Sequence, residues 1–325
     1  MQIPGSAFLR AIVPLMIKTY YFASLALALA VSAASCSSDY ANGGSDETSG
    51  NVNANSTILT GEAGRLEFPK VRNDGHSMVV VHYTDGYGLN YSVEWDCEKR
   101  AQRWTCYAMY NANSVTNWNR NNWKNATWQG KQWHSDPFQE DPDLPEYCRT
   151  TLSDYRGSGF NRGHICPSAD RLCSMDANGQ TFYLSNMQPQ YYNFNAGLWE
   201  KMEEQVRSWN RSSFRDTLYV CKGGTIEDYG ATKGVMGHTS SGLIVPRYFF
   251  MALLCKKGDT YKAIGLWAEH INADHSSDKL SDYAVSIDEL EQLTGIDFFC
   301  NLPDDTERRV ESISSDNAIR AWGLR

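Results

Sequence analysis

The stretch from Gly157 to Glu203 limits what this chain can fold into more than any other part of it. Three blocks stand in order there: Gly157-Ser-Gly-Phe-Asn-Arg-Gly-His-Ile-Cys-Pro-Ser-Ala-Asp-Arg171, Phe182-Tyr-Leu-Ser-Asn-Met-Gln-Pro-Gln190 and Asn195-Ala-Gly-Leu-Trp-Glu-Lys-Met-Glu203. The third opens a helix expected over residues 194–209. At about 100° per residue, Asn195, Trp199, Glu203 and Arg207 drift slowly round one side of it, and Leu198, Met202, Val206 and Trp209 form an adjoining apolar stripe. The apolar stripe seeks a core, and the polar side stays outside it. A rise of about 1.5 Å per residue puts the Cα atoms of Asn195 and Glu203 roughly 12 Å apart, and helical side chains lean toward the N-terminus, turning Glu203 back toward Asn195.

Much of the remaining pattern is that of a sheet. Residues 77–83, 89–96 and 104–110 are β-branched and aromatic runs bounded by turn residues, and further strands are expected at 181–184, 218–222, 244–255 and 261–268, with a helix at 287–293. Residues 111–143 hold tryptophan and phenylalanine among many Asn, Gln and Asp without a sustained period, which describes a long irregular loop; such loops are often functional. Trp118, Trp123, Trp128 and Trp133 in it serve either to stack bases or to staple the loop down. In 325 residues, 25 Gly, 10 Pro and 42% hydrophobic residues exclude wholesale disorder and collagen-like structure. The formal charge is -8, from 30 Lys+Arg against 38 Asp+Glu. A polyanionic partner must therefore be held by a local basic patch, and a histone-like coating role is excluded.

At the N-terminus, Lys18 precedes an apolar run over residues 20–31 and then Ser32, Ala33, Ala34, Ser35 and Cys36. This is the order of a secretory signal, and it is too short for a transmembrane helix. Residues 1–35 are read as that signal, with Met16 as its start. The small residues before Cys36 resemble the lipobox of bacterial lipoproteins. That resemblance implies an acylated Cys36 as a membrane anchor facing the periplasm or the cell exterior, with no transmembrane helix after processing; simple secretion is the other reading. Residues 36–60 then make a lipidated cysteine and flexible tether, and 61–325 the folded domain. Loss of Arg10 and Lys18 leaves 28 cations against 38 anions, a charge of -10. Eight cysteines remain in an exported chain and are expected as disulfides, Cys166 and Cys173 included, since no histidines stand at a spacing that would complete a zinc site with them.

The three blocks resemble the DNA/RNA non-specific endonuclease family, of the Serratia-nuclease and endonuclease G type in the ββα-metal superfamily, over about residues 66–303. The resemblance implies an α+β fold, a central antiparallel β-sheet with packed helices, carrying a ββα-metal catalytic module between about Gly159 and Trp209. It implies hydrolysis of DNA and RNA to 5′-phosphate ends with little regard for sequence or sugar, using one divalent metal, Mg²⁺ or Mn²⁺. His164 is then the general base, Asn195 the direct metal ligand, and Glu203 the acid that reaches the metal through water. Arg162 and Arg207 match positions that bind the scissile phosphate, and Arg120 is the candidate for a third such arginine.

The chemistry of these residue types agrees with the roles. A neutral imidazole with an ordinary pKa near 6.5 accepts a proton near neutral pH, and a guanidinium grips two phosphate oxygens while stabilising developing charge. Oxygen ligands with several waters suit Mg²⁺. The plainer readings are a buried structural histidine, an N-cap at Asn195 and surface salt bridges for the arginines. In one place the chain departs from the family: Asn161 stands where the family has aspartate, replacing a carboxylate near the metal by a neutral amide. That departure is the main support for another class, a non-catalytic surface lipoprotein that captures nucleic acid or another polyanion. A glycan-binding lipoprotein is a third reading, suggested by the many aromatic residues. The otherwise intact set of His164, Arg162, Asn195 and Glu203 favours the exported endonuclease.

Overall fold

A computed structural model describes residues 50–56 and 60–324. The signal, Cys36 and most of the tether lie outside the described residues. Asn51, however, donates through Nδ2 to the Cys300 and Leu302 carbonyls, and Asn55 through Nδ2 to those of Ala63 and Pro69. The end of the stretch read as a tether therefore belongs to the folded body.

Strands β1 (Ser77–Thr84), β2 (Gly88–Asp96) and β3 (Ala101–Met109) form a meander. Two short strands, β4 (Asn161–His164) and β5 (Met187–Gln190), pair with each other away from it. Strands β6 (Thr217–Gly224), β7 (Tyr248–Lys257), β8 (Thr260–Glu269) and β9 (Ala284–Val285) complete a seven-stranded antiparallel sheet in the order β1-β2-β3-β6-β7-β8-β9. The α-helices of six residues or more are α1 (Met175–Gln180), α2 (Glu200–Trp209), α3 (Ile287–Thr294), α4 (Asp304–Glu311) and α5 (Ser315–Trp322).

The central strands are apolar on both faces because both are covered. Side chains alternate along a strand. Tyr107 and Met109 of β3, Leu218 and Val220 of β6, and Met251 and Leu253 of β7 join α2 and α5 in one core. Their neighbours Trp104 and Cys106, Cys221, and Phe250 and Ala252 join α3 and α4 in another. The α2 stripe of Leu198, Met202, Val206 and Trp209 is buried as its period requires, and burial of each such side chain contributes about 1.5–3 kcal/mol.

Several expectations are corrected. The run 181–184 is not a strand: Thr181, Phe182 and Tyr183 donate backbone hydrogen bonds to Asn178, Gly179 and Gln180, so the chain leaves α1 through turns, and its apolar character reflects burial. The run 244–255 is two strands, because Pro246 has no N–H to continue a ladder; Ile244–Pro246 pairs with Val235–His238, and β7 starts at Tyr248. Of the eight cysteines expected as disulfides, Cys97 and Cys148 are bonded, whereas Cys106, Cys166, Cys173, Cys221, Cys255 and Cys300 are free and buried. These six fill core positions as small apolar side chains do. The tryptophans of the long loop are packed inward: Trp123, Trp128 and Trp133 bury with Phe182 and Tyr183, and the Trp123 and Trp128 indoles donate to Asn178 and Asp176. These three staple the loop and are not free to stack bases, and Trp118 is half-buried against them.

Candidate active site

Strand β4 carries Arg162 and His164 two residues apart, and alternation puts both on one face of the β4–β5 ribbon. Gly163 between them is required. A Cβ there would come within 2.1 Å of the Gln190 side chain on the paired strand. The chain then enters the helix that holds Asn195, Glu203 and Arg207, and the Trp199 indole nitrogen donates to the His164 carbonyl at 3.0 Å, tying helix to strand. The order β4, β5, α2 is the ββα arrangement expected between Gly159 and Trp209.

The helix departs from the sequence reading in its first turns. Residues Phe194–Trp199 form a π-helical segment before α2, and the wider turn shifts the phase of every side chain relative to a uniform 100° step. Trp199, expected on the polar side, is accordingly buried in the core. Asn195 lies inside this turn, Asn193 holds the N-cap position, and the plain N-cap reading of Asn195 does not apply.

A cleft of about 240 Å³ brings together Arg120, Arg162, His164, Asn195, Glu203 and Arg207. It adjoins a wider hollow of about 580 Å³ that shares Arg120, Arg162 and Asn195 and adds Asn161. Every residue that the sequence singled out for chemistry in the folded domain thus lines one continuous depression, Arg120 from the long loop included.

His164 is half-buried, with Phe182 edge-on at 5.0 Å and Phe138 at 5.8 Å between ring centres. Its Nε2 has no hydrogen-bond partner. Burial, and then the cations Arg120, Arg162 and Lys222, push the imidazole down to about 3, so it is neutral at physiological pH. Arg162 lies over the Phe138 ring at 3.9 Å and is exposed at its head, while Arg120 is held in a two-point ion pair by Asp136 at 2.9 and 2.5 Å.

Glu203 is 9% exposed. Its Oε1 stands 3.5 Å from the fully buried Lys222 ammonium and its Oε2 4.0 Å from Arg207, which reaches Asp170 at 3.3 Å. Asp170 in turn accepts from the Tyr107 hydroxyl at 2.8 Å. Burial pushes Glu203 up to about 7, with Lys222 opposing and Asp170 adding to the rise. Asp170, Lys222 and Tyr107 were not singled out by sequence reasoning. Asp170 follows His164 by six residues inside the first block and had a local signal; Lys222 and Tyr107 reach the site only through the pairing of β3 with β6.

A separate group, His82, Asp141 and Asp143, also offers possible metal ligands. Its imidazole lies between two carboxylates, Nε2 at 3.1 Å from Asp141 and Nδ1 at 3.3 Å from Asp143. Burial opposes a charge there, yet Asp141 and then Asp143 push His82 up to about 9. This is the geometry of an imidazolium clamped between two anions, and none of the three lines the cleft.

The cleft can therefore present a neutral imidazole, three guanidinium groups and the oxygen-bearing side chains of Asn195 and Glu203 to one ligand. Residues 80–305 match the DNA/RNA non-specific endonuclease family. Over 167 residues the chain is 34% identical to Nuclease C1 of Cunninghamella echinulata var. echinulata, covering 50% of this chain and 65% of that one. Over 229 residues it is 29% identical to the mitochondrial Nuclease EXOG of Xenopus laevis, covering 67% and 58%. It thus spans between about half and two thirds of the length of these relatives. A chain in the crystal structure of the EndoG/EndoGI complex shares the fold at a TM-score of 0.56 and 21% identity, over 70% of this chain and 88% of that one. With a match over residues 80–305, this chain belongs to the DNA/RNA non-specific endonuclease family.

Proposed function

We propose that the protein is an exported, metal-dependent endonuclease that hydrolyses DNA and RNA without regard to sequence or sugar and leaves 5′-phosphate ends. The observation that carries this reading is the unpartnered His164 Nε2, neutral, in a cleft lined by Arg120, Arg162 and Arg207. His164 takes the proton from the attacking water, and Nε2 is the atom that holds it afterwards. Arg162 and Arg207 hold the scissile phosphate and stabilise the charge that grows on it, with Arg120 at the rim.

The residues present fit a hard divalent cation: Asn195 offers an amide oxygen, and Glu203 offers a carboxylate in the same cleft, its Oε1 beside the Lys222 ammonium at 3.5 Å. Asn195 would hold Mg²⁺ or Mn²⁺ directly and Glu203 through water. Bound there, the cation would neutralise charge on the phosphate and favour departure of the 3′ oxygen. Asn161, on the wider side of the cleft, accepts hydrogen bonds without adding charge. It tunes the site without removing the base, the arginines or the ligands.

The test is incubation of plasmid DNA and of RNA with purified protein in Mg²⁺ or in EDTA, followed by analysis of the ends. Cutting of both polymers in Mg²⁺ alone, with 5′-phosphate ends, is expected. Binding without cutting would instead establish the nucleic-acid-capturing alternative. Export by the segment 1–35 and anchoring through Cys36 complete the proposal.

A further inference from the structure

On the face of the sheet opposite α2, three carboxylates converge between α3 and α4. Asp288 and Glu291 stand on α3 and Glu311 closes α4, and one oxygen from each lies within 4.8 Å of the others. Glu311 is only 7% exposed, and its Oε1 has no hydrogen-bond partner. The charged groups that act on it most strongly are carboxylates: Glu291, Glu307, Asp297 and Asp288.

The neighbouring cations are committed elsewhere. Lys70 donates to the backbone carbonyls of Asn53 and Ala54, and Arg103 pairs with Glu94 and the Gly295 carbonyl. Arg308 pairs with Asp305. Among the described residues no ion pair reaches Asp288, Glu291 or Glu311. A buried, unpaired carboxylate is costly, and burial together with its neighbours pushes Glu311 up to about 9 and Glu291 up to about 8.

We propose that Asp288, Glu291 and Glu311 hold a calcium ion that locks α3 to α4. Calcium binds oxygen at about 2.3–2.6 Å, so two ligands on opposite sides of one ion are at most about 5 Å apart, which is the spacing of these carboxylates. Three carboxylates can supply up to about six oxygens, and water completes the usual shell of about six to eight. Mg²⁺ fits less well, since it demands a strict octahedron and keeps most of its waters. The site is separate from the cleft and does not depend on the endonuclease reading.

Thermal unfolding of the full-length protein, with Mg²⁺ saturating throughout and with or without about 1 mM CaCl₂, tests it. Calcium should raise the Tm by several degrees. Glu311→Gln, which puts a neutral amide where the calcium-free carboxyl already holds a proton near neutral pH, should melt no lower than wild type without calcium, show no calcium shift and cleave at the wild-type rate. Asp288→Asn should also lose the shift, which covers the case in which Glu311→Gln fails to fold. Asn195→Ala should keep it. A wild type that does not respond to calcium, a shift that survives both carboxylate substitutions, or one that Asn195→Ala abolishes would overturn the proposal.

Discussion

An imidazole works as a base only while it is neutral, and the aromatic walls and arginines around His164 keep it so far below neutral pH. Glu203 is the group that titrates in the working range. Its pKa is raised to about 7, so it gains a proton and loses its charge as pH falls through that value. The Mg²⁺ concentration needed for half-maximal cleavage should therefore rise as pH drops from about 8 to about 5 in the wild type, and stay nearly flat in Glu203→Gln. Asn195→Ala should need far more Mg²⁺ at every pH. A titration in which the two variants behave alike would contradict the division of roles. Arg162, His164, Asn195 and Glu203 could be picked out because each lies in one of the three blocks that carry the family resemblance, and the structure gathers them in one cleft. Lys222 was not, because a lysine in an apolar strand gains its meaning from Glu203, a partner on another element.

At the scale of elements, local pattern located β1, β2, β6 and β8 as β-branched and aromatic runs bounded by turns, and the helix over 194–209 by its apolar stripe. It failed where composition and hydrogen bonding part company. Thr181 to Leu184 is apolar because it is buried beneath the long loop, yet Thr181, Phe182 and Tyr183 donate turn bonds and only Leu184 donates across, to Gln139. The π turn at Phe194–Trp199 leaves no compositional trace, and it is what moves Trp199 into the core. Helices α4 and α5 are eight residues each, too short for a helical period to be sustained over a full window. The one disulfide among the described residues joins the end of β2 to the far end of the long loop, Cys97 to Cys148, across a separation of 51 residues. Closing a loop of that size restricts the unfolded chain by about 4 kcal/mol. Replacing both cysteines by alanine should lower the Tm by roughly 10 °C. Cleavage at room temperature should persist, because neither residue lines the cleft. An unchanged Tm under non-reducing conditions would show that the bond does not constrain the loop.

Taken as a whole, the molecule is acidic, and its cleft is the exception. A polyanion approaching a chain of net charge -8 gains little from the bulk field. On the proposed reading, binding rests on Arg120, Arg162 and Arg207, which the fold gathers from the long loop, β4 and α2. Anchoring through Cys36 would place this site outside the cell's own nucleic acid. Cys36→Ser should release the enzyme into the soluble fraction with unchanged turnover, and a wild type that is wholly soluble and carries no lipid by mass spectrometry would leave simple secretion. The central claim is that a neutral His164 in this cleft drives phosphodiester hydrolysis, and nicking of supercoiled plasmid by wild type and His164→Ala, each saturated with Mg²⁺, tests it most directly. The account predicts a loss of about two to four orders of magnitude in turnover, with the fold intact by circular dichroism. Near-wild-type nicking by the metal-saturated variant would contradict it.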